Sequence, residues 1–271
     1  RLGEDHFYVL SAAVAQLHDM DALRWRRNKD EVVTITDVTD DFGVLALAGP
    51  LSRDILQPHT PQDLSNEGLR WLRGTITEVA GVRDVRLMRV NYVGELGWEI
   101  HAPMAGLPAI FDALMATGEP LGMRLFGAYA MNSLRMEKAY RGWGSELTQE
   151  INMIEGDMER FCRFDKEFIG KAATQASKQR GPRIQLVYME VETADADCAG
   201  NEPVYQGGEI VGLTTGGAYG HAVQKSLTFA YLDPKKADMD KDFEIMMFDE
   251  MQPARIIEQP AWDPENVRLR A

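Results

Sequence analysis

The chain has 271 residues, enough for one large domain or two ordinary ones. With 29 Lys plus Arg against 42 Asp plus Glu, its net charge of −13 argues against a nonspecific nucleic-acid binder, which needs clustered cations. A hydrophobic share of 45% speaks against disorder, no apolar run approaches the roughly 20 residues of a membrane helix, and two cysteines exclude a disulfide framework.

The chain opens Arg1-Leu2-Gly3 and runs straight into apolar residues, without the basic and hydrophobic regions of a signal peptide, as though cut from a larger polypeptide. Strands are predicted at His6–Val14, Val32–Val38 and Phe42–Ala48, with helical character over Met20–Arg27. Pro50 starts a short helix to Leu56, and Gly68–Gly74 reads as another. Val85–Val90 and Trp98–Ala102 form a strand pair around Tyr92–Gly97, whose glycines supply a turn or bulge. Leu107–Met115 and Gly127–Tyr140 carry helical apolar spacing, and Lys166–Ala173 is a loop entering a helix.

A polar segment near Lys178–Pro182 marks a change of composition. Beyond it, short strands recur at Ile184–Glu192, Pro203–Tyr205, Glu209–Thr215, Leu227–Leu232, Phe243–Phe248 and Ala254–Ile257, a spacing that suits a small antiparallel barrel. Thr214–Gly217 before Tyr219 reads as a tight hairpin. The expectation is α+β: one domain over residues 1–178, then a β-barrel domain over 179–271.

Several chemistries are absent from the pattern. Gly142-Trp143-Gly144 lacks the third glycine of a dinucleotide fingerprint, and Gly170-Lys171 lacks the upstream glycine of a phosphate loop. The five histidines share no metal-ligand spacing, and no serine occupies a nucleophile elbow. What remains is Tyr92-Val93-Gly94-Glu95-Leu96-Gly97-Trp98-Glu99. If Trp98 and Ile100 face the core, alternation points Glu99 and His101 to the other side. Glu99 then either meets water, the commoner fate of a lone carboxylate, or lines a cavity, where two oxygens accept the parallel N–H bonds of a pterin edge. Tyr92 offers a flat face and a hydroxyl. Trp143, set between two glycines, is a costly place for a large ring unless something packs on it.

Taken in order, Tyr92–Glu99, Ser133-Leu134-Arg135-Met136-Glu137-Lys138, Trp143-Gly144-Ser145-Glu146, Phe168-Ile169-Gly170-Lys171 and Thr215-Gly216-Gly217-Ala218-Tyr219 resemble the aminomethyltransferase (glycine-cleavage T-protein) superfamily. Within it the chain looks like the folate-binding C-terminal half of dimethylglycine and sarcosine dehydrogenases, as do Asp37–Pro50 and Ala254–Pro260. The resemblance implies an aminomethyltransferase-like folate-binding domain followed by the barrel. It also implies tetrahydrofolate as cofactor, with Tyr92 and Glu99 as pterin contacts and Trp143 as a further wall of the cavity. In that branch a separate N-terminal flavin domain, or a partner subunit, uses FAD to oxidise a small N-methylated amine. The folate half captures the one-carbon unit as 5,10-methylenetetrahydrofolate.

Two departures qualify the match. Met131-Asn132 stands where T-protein carries an Arg–Asp pair, and the family's catalytic aspartate lies upstream of Arg1, so no catalytic residue is assigned to this chain. The alternatives are a free-standing folate-dependent demethylase without flavin and a non-catalytic folate-binding protein. Two cysteines without a presequence fit a reducing, cytoplasmic compartment.

Overall fold

A computed structural model describes all 271 residues. After a short 3-10 turn at Ala13–Ala15, helix α1 (Gln16–Arg26) runs over the surface with no buried residue. Strand β1 (Phe42–Ala48) follows, then helix α2 (Ser52–Leu56). Strands β2 (Gly74–Val79) and β3 (Val82–Met88) form a hairpin turned by Ala80 and Gly81, both at positive φ, as a tight two-residue turn requires. Strand β4 (Gly97–Pro103) completes an antiparallel sheet of order β1-β4-β3-β2.

One face of this sheet makes the first core. Trp98, Ile100 and Ala102 of β4, with Leu47 and Leu87 beside them, pack under α2 and helix α3 (Leu107–Gly118). Helix α3 buries Ile110, Leu114 and Gly118, a spacing of four that puts them on one side. Burying a side chain of this size contributes about 1.5–3 kcal/mol each, so this face decides which way the strands present their polar residues.

Helix α4 (Ala128–Glu137) joins the sheet unit to the barrel, and α5 (Lys171–Arg180) ends at Gly181. Strands β5 (Gln185–Val191), β6 (Pro203–Gln206), β7 (Glu209–Gly220), β8 (Lys225–Leu232), β9 (Asp242–Met247) and β10 (Glu250–Ile256) close in the order β10-β5-β8-β7-β6-β9. Met189, Ala230, Leu232, Phe243 and Ile245 belong to the barrel's own core, whereas Tyr188, Leu227 and Phe229 pack against Met136 of α4. The tail then returns to the first unit. Trp262 N–H donates to Glu137 O at 2.9 Å, and Lys138 Nζ meets Asp263 Oδ2 at 3.4 Å.

The architecture follows the expected α+β unit and barrel, with four local corrections. His6–Val14 and Val32–Val38 are not strands, because neither pairs with a neighbouring strand and most of their side chains are exposed. Gly68–Gly74 is a run of turns rather than a helix, and the strand after it, β2, was not anticipated. Thr214–Gly217 is not a hairpin. Strand β7 runs through it with a register shift between Thr214 and Gly216, and the chain reverses only after Gly220. Helix α4 stops at Glu137, three residues before Tyr140, where Ala139 takes φ +53.

Candidate functional site

The second face of the four-stranded sheet carries the polar residues. Glu99 lies on β4 opposite Ala46 of β1 and Met88 of β3, and His101 lies opposite Val44 and Arg86. Their positions follow from the burial of Trp98 and Ile100, since neighbours in a strand point to opposite faces. The Glu99 side chain keeps 31% of its exposure, whereas His101 keeps 2%. Glu99 Oε2 sits 3.1 Å from His101 Nε2, the one hydrogen bond the chain makes to this part-exposed carboxylate. Tyr8 covers the histidine, with its hydroxyl 3.2 Å from Nδ1 and its ring edge-on. Arg86 stacks over Phe42 at 3.7 Å and over Tyr8 at 4.6 Å, holding that ring in place.

Tyr92 belongs to the β3–β4 connection, near Gly94 at φ +76. Its ring stacks on Tyr140 at 5.8 Å, and its hydroxyl donates to Arg141 O at 2.7 Å. Burial pushes the phenol pKa up, with Arg135 opposing, so it remains a proton donor. No hydrogen bond or ring contact joins Tyr92 to Glu99. Trp143 sits on the loop after α4, 63% exposed, with Gly144 beside it at φ +86. Most of that ring faces outward, between its two glycines.

That loop is held by Glu146, which is fully buried. Its Oε2 accepts from Arg135 Nη1 at 2.9 Å and from Gly142 N–H at 2.6 Å, and its Oε1 accepts from Thr215 Oγ1 at 2.5 Å. Asn132 accepts from Arg135 Nε at 2.9 Å and donates to Gly217 O at 3.1 Å. The Ser-Leu-Arg and Thr-Gly-Gly motifs thus meet at the seam between α4 and the barrel. Met131 turns elsewhere, into an apolar groove of 660 Å³ along β1 and α3. A second, polar cavity of 540 Å³ lies between α4 and β7. Glu99 lines neither; it stands on the open sheet face.

The sequence pattern placed Glu99 and His101 on one side of β4 but not the contact between them. Tyr8 and Arg86 escaped it altogether. Tyr8 reads as one residue of an apolar strand, and Arg86 differs from other surface arginines only by its place two residues before Met88 on the same face.

Residues 1–166 match the family model of the GCVT N-terminal domain, and residues 185–263 match that of the glycine cleavage T-protein C-terminal barrel domain. The chain is 37% identical over 270 residues to the mitochondrial dimethylglycine dehydrogenase of Homo sapiens, covering 97% of this chain and 31% of that protein. It therefore spans about a third of the length of that dehydrogenase. It is 30% identical over 262 residues to the aminomethyltransferase of Saccharopolyspora erythraea, covering 96% of this chain and 70% of that one. The crystal structure of glycine cleavage system aminomethyltransferase T from Bartonella henselae superposes with a TM-score of 0.80 over 93% of this chain and 67% of its own, at 21% identity, a likeness of fold. With its two domain models matched in order and an aminomethyltransferase related along most of its length, the chain belongs to the glycine-cleavage T-protein (GCVT) family.

Proposed function

We propose that this chain binds tetrahydrofolate on the open face of its four-stranded sheet and serves as the one-carbon transfer module of an FAD-dependent N-methyl amine dehydrogenase. The observation that carries the reading is Glu99. One of its carboxylate oxygens is held by His101 and the other has no protein partner, an arrangement that fits the paired N–H donors of an amino-pyrimidinone ring. The relationship to dimethylglycine dehydrogenase along 97% of the chain supports the dehydrogenase context.

When bound, the reduced folate supplies the nitrogens that take up the one-carbon unit as 5,10-methylenetetrahydrofolate. The chain's own part is to bind and orient. Glu99 fixes the ring edge and Tyr92 contributes its ring rather than its hydroxyl, which already donates to Arg141 O. The exposed Trp143 ring is available as a further wall. No acid–base residue of this chain is assigned to the transfer. Oxidation of a small N-methylated amine, such as dimethylglycine or sarcosine, falls to a flavin domain or partner subunit.

The match to an aminomethyltransferase over 70% of its length favours a second reading, a flavin-independent demethylase or aminomethyltransferase of the same fold. Calorimetry separates folate binding from both contexts. Wild type should bind tetrahydrofolate, and Glu99→Gln should weaken it by about 1–3 kcal/mol, because the amide turns a donor toward the ring's own N–H groups. An unchanged dissociation constant removes Glu99 from the site. Release of formaldehyde from an N-methyl amine only when an electron-accepting flavoprotein is present supports the dehydrogenase reading over the second one.

A further inference from the structure

His101 is nearly sealed, although it lies on the sheet face opposite the core. The groups that seal it come from three places: Tyr8 from the N-terminal segment, Arg86 from β3 and Glu99 from its own strand, while β1 contributes only the apolar Val44 and Phe42. The hydrogen bonds run in one direction. An ionised carboxylate can only accept, so Nε2 donates to Glu99 Oε2, and in the neutral ring Nδ1 must then accept from the Tyr8 hydroxyl. Burial pushes the Tyr8 phenol up, with Arg86 pulling against it and Glu99 adding to the rise, which keeps that hydroxyl a donor. Arg86 Nε and Nη1 are buried without a hydrogen-bond partner and lie against the Tyr8 and Phe42 rings instead. An arginine committed in this way acts as a clamp on Tyr8.

We infer that His101 is a positioning residue: oriented by Tyr8, it holds Glu99 Oε2 so that the second carboxylate oxygen is presented at a fixed angle to a ligand bearing paired N–H donors. This rests on the assignment of Glu99 to folate recognition. A freely rotating glutamate would have to lose rotamer freedom on binding, and the histidine removes part of that cost in advance. The role belongs to the imidazole's two nitrogens separately, and that separates it from simple packing.

The test uses His101→Gln, which keeps a donor near the Nε2 position, and His101→Asn, which keeps a group near Nδ1 and loses the donor to Glu99. Dissociation constants for tetrahydrofolate and thermal melts are measured for both, with Glu99→Gln and Tyr8→Phe alongside. We expect His101→Asn to weaken binding by about tenfold and His101→Gln by no more than about threefold, the size of one hydrogen bond made or lost. Tyr8→Phe should cost about threefold, and it carries the test if His101→Asn does not fold. Nitrogen-15 spectra of the wild type should report the Nε2–H tautomer of His101. Equal losses for Asn and Gln, no loss with Tyr8→Phe, or an Nδ1–H tautomer each overturn the inference. If Glu99→Gln weakens binding while the His101 variants do not, the inference falls and the folate reading stands. If Glu99→Gln leaves binding unchanged, both fall.

Discussion

Arg135 and Glu146 form an ion pair, Nη1 to Oε2 at 2.9 Å, in which the carboxylate is fully buried and the arginine side chain keeps 8% of its exposure. The pair connects α4, the Trp143 loop and barrel strand β7, because Thr215 donates to the second oxygen of the same carboxylate. Two motifs that stand 69 residues apart in the chain are thereby satisfied by one side chain.

Removing one partner should therefore cost more than removing both. Glu146→Ala leaves a guanidinium buried without its counter-ion, and the expected loss is about 3–5 kcal/mol in urea unfolding. The Arg135→Met, Glu146→Leu double variant should regain part of that loss, by removing the unpaired charge, although Gly142 N–H and Thr215 Oγ1 still lose their acceptor. A single variant as stable as wild type would show that water already screens the pair.

A second carboxylate gives stability a pH dependence. Arg183 donates to both oxygens of Glu155, Nε to Oε1 at 2.7 Å and Nη2 to Oε2 at 3.0 Å, and these bonds hold the carboxyl below the usual glutamate range against the opposing effect of burial. A depressed folded-state pKa adds stability that is complete above the unfolded value and disappears as pH falls through the folded one. Arg183→Gln should thus be less stable than wild type at pH 7. The gap should close only as the pH drops below the ordinary glutamate range. Urea midpoints at a series of pH values measure it, and a gap independent of pH would rule out the carboxylate as its source.

The two thiols should differ in reactivity. Burial pushes the Cys198 thiol up to about 12, beside Met247 inside the barrel, whereas Cys162 is half-buried at the surface. A thiol-specific disulfide reagent at pH 8 should titrate Cys162 in the native protein and reach Cys198 only in denaturant, since the thiolate is the reacting species. Native reaction at both sites would mean that the barrel opens on the timescale of the assay.

Tyr92 makes a prediction with two halves. Tyr92→Phe removes the donor to Arg141 O but keeps the ring stacked on Tyr140, so stability should fall by about 1 kcal/mol while tetrahydrofolate affinity holds. Tyr92→Leu removes the ring as well and should weaken the ligand. Equal affinities for all three proteins would take Tyr92 out of the site.

Much of the fold was legible because its signals are local. The alternation through Trp98, Glu99, Ile100 and His101 depends only on two-residue periodicity and the burial of tryptophan, and the Gly and Pro separators of the barrel act within their own turns. The missing strands have a tertiary cause. The apolar run at His6–Val14 has strand composition, yet a strand needs a neighbour for its backbone, and only the assembled sheet decides which segments obtain one. Periodicity could likewise put Glu99 and His101 side by side, but the Tyr8 hydroxyl on His101 and the Arg86 guanidinium on Tyr8 come from distant parts of the chain. The sequence by itself determined the faces, the barrel and the family. Tertiary packing decided which polar groups meet, because a hydrogen bond depends on distance in space and the chain order does not encode it.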